Sequence, residues 1–263
     1  MNIIVCLKQV PDTNEVRIDP VKGTLIREGV PSIINPDDRN ALEESLKIKD
    51  QFPDTKVTVL SMGPPQADVA LKEAVAMGAD EGILLSDRIF AGSDTWATST
   101  AVAAGIKTIG DFDIIFCGRQ AIDGDTAQVG PQIAEHLGIP QITYVEKLEI
   151  LDGKVRARRA LENGYFVVES DMPVLLTAIK ELNAPRYPSI KGIYKAYKEE
   201  KVKVWSGKDV GLTQEDVGLK ASPTQVNKSF TPDKRKSVGE ILEGSTKDSV
   251  RALIVRLKEK NII

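Results

Sequence analysis

Apolar residues in this chain fall in short β-rich runs, separated by stretches with helical spacing. Residues 3–10 read as a first strand. Residues 16–18 and 24–26 flank the turn Asp19-Pro20-Val21-Lys22-Gly23 and predict a hairpin. Asn35-Pro36-Asp37-Asp38 then opens a helix: Asn35 suits the N-cap, Pro36 the first helical position, and the aspartates the positive end of the dipole. Ala41, Leu42, Leu46 and Ile48 mark its apolar side. Residues 56–62 form a second core strand ending in Gly63-Pro64-Pro65, and a helix follows to Met77 and stops at Gly78. Further strands are expected at 81–85 and 113–117, and helices at 95–109, capped by Ser93-Asp94, and at 126–137. A strand-then-helix rhythm predicts parallel strands covered on both faces.

The pattern changes after residue 140. Residues 141–151, 154–161, 165–170 and 174–178 are strand-like, with hairpin signals at Asp152-Gly153 and Asn163-Gly164. They predict an antiparallel extension that returns to the sheet. Beyond Asn183 the core pattern fades until a last helix at 246–260. Residues 1–183 are therefore expected to form an α/β domain, and residues 184–263 an arm lying on another subunit.

Charge sharpens that division. Residues 184–263 carry a net charge of +7 and residues 1–183 one of −10. The acidic total and an aromatic content of 5% exclude a general nucleic-acid binder. No apolar run approaches a membrane span. The opening residues Met1 to Lys8 lack the basic flank of a signal peptide, so cytoplasm is the expected compartment. Two cysteines, Cys6 and Cys117, are too few for a zinc or iron–sulfur site, and both sit in apolar runs that suit packing. The one histidine, His136, lies at an expected helix end, where a cation commonly has a structural role.

Standard catalytic motifs are absent: no G-x-G-x-x-G follows the first strand, and there is no phosphate loop, H-E-x-x-H or C-x-x-C. Redox chemistry here would need a cofactor. The most informative stretch runs from Gly118 through Arg119, Gln120, Ala121, Ile122, Asp123, Gly124, Asp125, Thr126, Ala127, Gln128, Val129 and Gly130 to Pro131. It follows a buried strand and enters a helix, at the carboxyl edge where open α/β sheets bind ligands. Thr126, Ala127 and Gln128 lie where free N–H groups favour a phosphate. Asp123 and Asp125 would repel a phosphate they faced; bonding to a ribose or holding the loop suits them better. A capped loop without a ligand fits the same residues. The strand ends at 6–12 and 61–64, with residues 35–38 at the side, can complete an adenosine pocket or serve as plain turns. The alternating run Val155-Arg156-Ala157-Arg158-Arg159 reads as a solvated strand face, or as an arginine reaching a flavin or phosphate of a neighbouring subunit.

Four separated motifs resemble the beta (small) subunit of electron-transfer flavoproteins: V-C-L-K-Q-V-P-D-T at 5–13, N-P-D-D at 35–38, S-M-G-P-P with A-M-G-A-D at 61–65 and 76–80, and G-R-Q-A-I-D-G-D-T-A-Q-V-G-P-Q at 118–132. Residues 158–177 resemble the family's signature region and 182–190 its recognition loop. The resemblance implies a Rossmann-like, adenine-nucleotide-binding sheet and a heterodimer with an FAD-carrying alpha subunit. It places the nucleotide site at Cys6, Asn35, Pro36, Asp37, Asp38, Met62, Ala121, Ile122, Asp123, Gly124, Asp125, Thr126, Ala127, Gln128, Val129, Gly130, Pro131 and Gln132, with no catalytic side chain. It also implies partner contacts at Arg186, Tyr187, Ile190, Tyr194 and Lys195, and an arm wrapping the alpha subunit.

Within the family the chain is similar to the electron-bifurcating branch, whose beta subunit holds FAD. NADH is then the donor. Ferredoxin or flavodoxin and an acyl-CoA dehydrogenase, such as butyryl-CoA dehydrogenase, are the acceptors. Small Gly124 and Ala127 leave room for the part of FAD beyond AMP. Two alternatives stand beside this: a housekeeping beta subunit with structural AMP, and a non-redox adenine-nucleotide-binding regulatory module.

Overall fold

A computed structural model describes residues 1–12, 31–227 and 239–263; the expected hairpin at 16–26 lies outside them. Contacts divide the chain into two units, Met1–Lys228 and Ser229–Ile263. The first contains strands β1 (Asn2–Cys6), β2 (Gln9–Pro11) and β3 (Ser32–Ile34), helix α1 (Pro36–Gln51), β4 (Lys56–Met62), α2 (Asp68–Met77), β5 (Glu81–Leu85), α3 (Thr95–Ile109), β6 (Ile114–Gly118) and α4 (Val129–Leu137). It continues with β7 (Gln141–Leu151), β8 (Lys154–Leu161), β9 (Gly164–Asp171), β10 (Val174–Ala178), α5 (Ile190–Lys198), β11 (Val202–Trp205) and α6 (Gly218–Ala221).

Nine strands form one sheet in the order β11-β5-β4-β1-β6-β10-β7-β8-β9, and β2 pairs with β3 in a small antiparallel ribbon. All pairings from β11 to β7 are parallel; β7–β8 and β8–β9 are antiparallel. This is the expected mostly parallel α/β architecture with an antiparallel extension. β7 serves both parts: its first residues run parallel to β10 and its later ones antiparallel to β8.

Alternation along each strand builds the two faces. Ile3, Val5, Ile114 and Phe116 join one apolar cluster with Leu42 and Leu46 of α1 and Leu71 and Ala74 of α2. Ile4, Ile115 and Cys117 join the other, with Val102 and Ile106 of α3 and Ile133 and Ala134 of α4. The central strands are apolar at nearly every position because both faces are covered.

Local signals behaved mostly as the sequence predicts. The Asp94 carboxylate accepts from the Ala97 N–H at 3.0 Å and caps α3. α2 ends at Gly78, whose φ of 138° suits a residue without Cβ. The first expected strand instead breaks in two, and α4 starts at Val129 rather than near residue 126. Asn35 makes no side-chain cap bond, because its amide is used elsewhere.

Three elements beyond Asn183 belong to this unit: α5 packs on α2, β11 extends the sheet beside β5, and α6 packs near α3. Glu81 pins that edge strand, receiving Lys203 Nζ at 2.8 Å and Lys56 Nζ at 2.6 Å. Burial opposes its charge, but the two lysines hold the carboxyl down at about 2. The second unit holds α7 (Thr246–Glu259), started by Ser245, whose hydroxyl accepts from the Asp248 N–H. Arg256 pairs with Glu240 at 2.7 Å within it.

A carboxyl held below its unfolded value stabilises the fold above the ordinary carboxylate range and loses that contribution as pH falls towards 2. Glu81→Gln is expected to lower unfolding free energy at pH 7 by about 1 kcal/mol. The gap between variant and parent should narrow below about pH 4.5 in urea denaturation series.

Candidate functional site

The carboxyl ends of β1, β4 and β6 open on one edge of the sheet, where α1 begins and the loop 119–128 leads into α4. Asp38 ties three of these pieces together. Its Oδ2 accepts from the Lys8 N–H at 2.7 Å and its Oδ1 from the Gly118 N–H at 2.9 Å. Burial pushes this carboxyl up to about 7, against the pull of those two donors and of the Asn35 side chain. The approach is close enough to require glycine at 118: a Cβ there would lie 2.3 Å from Asp38 Oδ1 and 2.6 Å from the Asp38 nitrogen.

Asn35, fully buried, reads the loop as a neighbouring strand would. Its Nδ2 donates to the Gln120 carbonyl at 2.8 Å, and its Oδ1 accepts from the Ile122 N–H at 3.0 Å. The expected role as N-cap is thus replaced by a tie across 85 residues of chain or more. Lys8 Nζ meets Asp123 Oδ1 at 2.6 Å, and the Asp123 side chain is only 10% exposed. Asp125 accepts from the Gln120 amide. Both aspartates therefore hold the loop, one of the two roles open to them.

The loop is strained where it turns into α4. Asp125 and Ala127 have φ values of 54° and 53°, which cost side-chain-bearing residues about 1 kcal/mol each. Among the described residues, the N–H groups of Thr126, Ala127, Gln128 and Val129 find no acceptor. Gly124, Asp125, Thr126 and Gln128 are exposed, and a Cβ at Gly124 would meet open space. Free amides at a helix start without a capping side chain can receive an anion. Ser61 Oγ at the end of β4 and Gln132 Oε1 in α4 are buried without a partner among the described residues.

Cys6, Asn35, Pro36, Asp37, Asp38, Met62 and residues 121–132 belong to this edge and its rim. Cys6 and Met62 pack partly buried against the α3–α4 face, and Cys6 neighbours Cys117 one register step beyond Val5 and Phe116. The hydrogen bond with Cys6 and burial push the Cys117 thiol up, so it rests protonated. Lys8 belongs to the strand end 6–12 expected at the pocket, whereas Thr95 is not among the expected residues. Thr95 Oγ1 lies 3.1 Å from Gln128 Oε1, a contact between helix starts that no local pattern signals. His136 does not act as a cation at the helix end: burial and then Lys107 hold it below the ordinary histidine value, and it leans on Trp96 with ring centroids 4.6 Å apart.

The expected partner residues divide. Tyr187 and Ile190 are each 89% exposed, and Tyr194 is exposed on α5. Lys195 is half-exposed near Glu199. Arg186 turns inward, onto Glu43 and Asp50. In the antiparallel part, Arg156 pairs with Glu169 as a solvated face would, Arg158 covers the Tyr165 ring at 3.8 Å, and Arg159 Nε is buried without a partner among the described residues. No group of metal ligands and no helix long and apolar enough to cross a membrane occurs among the described residues.

Fold and site together define an α/β protein with a prepared ligand edge at its strand ends. The electron transfer flavoprotein domain profile matches residues 22–208. The chain is 61% identical to the electron transfer flavoprotein subunit beta of Clostridium acetobutylicum and 60% identical to that of Thermoanaerobacterium thermosaccharolyticum, each over 100% of both chains. It is 58% identical, again over 100% of both, to the caffeyl-CoA reductase-Etf complex subunit CarD of Acetobacterium woodii. The chain belongs to the electron transfer flavoprotein family, as a beta subunit.

Asn35→Ala should free the Gln120 carbonyl and the Ile122 N–H and cost about 2 kcal/mol. Hydrogen exchange of the Ile122 amide is expected to speed up roughly tenfold or more as the loop loses its tie.

Proposed function

We propose that this beta subunit works in a cytoplasmic heterodimer with an alpha subunit, holds FAD at the loop edge and takes hydride from NADH. The observation that carries the reading is the loop with open space at Gly124, ending at the start of α4 in the amides of Thr126, Ala127, Gln128 and Val129, which find no acceptor among the described residues. The amides of Thr126, Ala127, Gln128 and Val129 would receive a pyrophosphate. Ser61 and Gln132 offer polar atoms for the remainder of the nucleotide. Bound there, FAD supplies the chemistry that divides a hydride pair, one electron to ferredoxin or flavodoxin and one through the alpha-subunit FAD to an acyl-CoA dehydrogenase such as butyryl-CoA dehydrogenase.

The protein's own residues bind and orient. Lys8 neutralises Asp123 and keeps that carboxylate off the phosphate cradle. Asn35 and Asp38 fix the distance between α1 and the loop. The hydride and electron chemistry belongs to the flavin, so no side chain at the edge is assigned a role as acid or base. The exposed Tyr187, Ile190, Tyr194 and Lys195 form the docking surface for the dehydrogenase. The name of the Acetobacterium relative, which places it in a complex with a CoA-thioester reductase, supports a partner of that class. Residues 184–263 include the docking loop and, in α7, a helix with no buried residue and with exposed Val250, Leu253, Ile254 and Val255. That apolar side suits packing on the alpha subunit.

Denaturing the co-purified heterodimer and separating its nucleotides should release two FAD and little AMP. One FAD with one AMP would assign the chain to housekeeping electron transfer and remove NADH from the account. No flavin at all would leave a nucleotide-binding module without redox function. Gly124→Leu, with its new side chain in open space beside the cradle, is expected to lower FAD content by at least half while AMP still binds.

A further inference from the structure

We propose that Arg186 is a positioning residue for partner docking: it holds the docking segment from behind and sets the affinity for the dehydrogenase without touching it. The proposal rests on the docking role given above to Ile190.

The geometry is that of a clamp. Arg186 Nε and Nη2 reach Glu43 at 2.9 and 3.0 Å, in a two-pronged pair, and the Arg186 backbone N–H reaches the same carboxylate at 3.0 Å. Nη2 also meets Asp50 at 2.7 Å. Glu43 is only 6% exposed, so the pair is shielded on the side of α1. A planar guanidinium matched to one buried carboxylate fixes direction as well as distance. Three residues earlier, Asn183 and Asn40 exchange amide bonds in both directions, and Asn183 also donates to Glu44 at 2.9 Å. The chain is thus fastened to α1 up to residue 186.

One residue later it is exposed. Tyr187 and Ile190 each show 89% of their surface, and the chain is caught again immediately afterwards. Ser189 Oγ accepts from the Gly192 N–H at 2.9 Å and starts α5. Gly192 lies so close to α2 that a Cβ would sit 2.1 Å from the Ala76 carbonyl oxygen. The exposed apolar segment is therefore a short span between two fixed ends. A rear anchor that depends on one arginine limits the conformers the span must give up on binding. Only the fraction of molecules already in the docking shape binds at full strength, so loosening the anchor weakens apparent affinity in proportion.

The test uses the whole heterodimer, with purified butyryl-CoA dehydrogenase as the probe partner and electron transfer between them as the readout. Arg186→Met and Glu43→Gln are expected to raise KM for the dehydrogenase about tenfold, as for a docking shape present in about a tenth of molecules. Their kcat at saturating dehydrogenase should stay within about twofold. Arg186→Lys keeps the charge but not the fork and should fall between. A merely structural role predicts a lower melting temperature with KM unchanged, and that result would overturn the proposal. Asp50→Asn removes one exposed contact without stranding a buried charge, so it remains informative if the Glu43 variant fails to assemble. A rise of about twofold in KM is expected, and an unchanged KM counts against the clamp. Ile190→Ala separates the two readings. If it leaves KM unchanged, docking at Ile190 fails and the clamp with it; if it raises KM while Arg186→Met does not, only the clamp fails.

Discussion

The edge of this molecule depends on how closely the first turn of α1 presses on the end of β6. Asp38 takes the backbone N–H groups of Gly118 and Lys8 on its two oxygens, and Gly118 has no Cβ to keep the helix away. From that contact Asn35 is placed to bond Gln120 and Ile122, and Lys8 to meet Asp123. The loop 119–128, with its two strained residues, is held by Lys8, just after β1, and by Asn35, just before α1. Strain of this kind persists only where surrounding contacts over-determine it. The ligand edge is thus a property of the protein's own packing.

Much of this was legible in the sequence, for identifiable reasons. Alternating apolar runs and terminal caps are local signals, and they located β4, β5, β6, α1, α2 and α3 closely. The hairpin turns at 152–153 and 163–164 fixed β7, β8 and β9 in the same way. The covering of the sheet on both faces followed from the apolar runs, whereas the strand order came only with the structure. What stayed hidden is non-local. β11 has four residues, two of them exposed, and is a strand because β5 offers an open edge and Glu81 binds Lys203. Asn35 looked like a cap because asparagine before Pro-Asp-Asp usually is one; its true partners lie 85 and 87 positions away. Arg186 is expected as a contact residue because its segment resembles the family's recognition loop, while its acceptors are more than 130 positions back.

The same helix serves both ends of the working surface. The first turn of α1 fastens the end of β6 through Asp38, and its later turns fasten Asn183 and Arg186 through Asn40, Glu43 and Asp50. A 16-residue helix packed along the central strands thus holds the strand-end loop and the chain around Arg186 in a fixed relation. The polar side of α1, which reads as an ordinary solvent face, is largely consumed by these ties.

The central claim is that the protein holds the loop before any nucleotide arrives. Hydrogen exchange of the heterodimer, followed with and without added nucleotide, tests it most directly at Gly118 and Ile122. These amides donate to Asp38 and Asn35, and the account predicts that both are protected in either condition, while Thr126 and Ala127 gain protection only with nucleotide. Exchange of Gly118 and Ile122 at the rate of an unstructured peptide until nucleotide is added would contradict it.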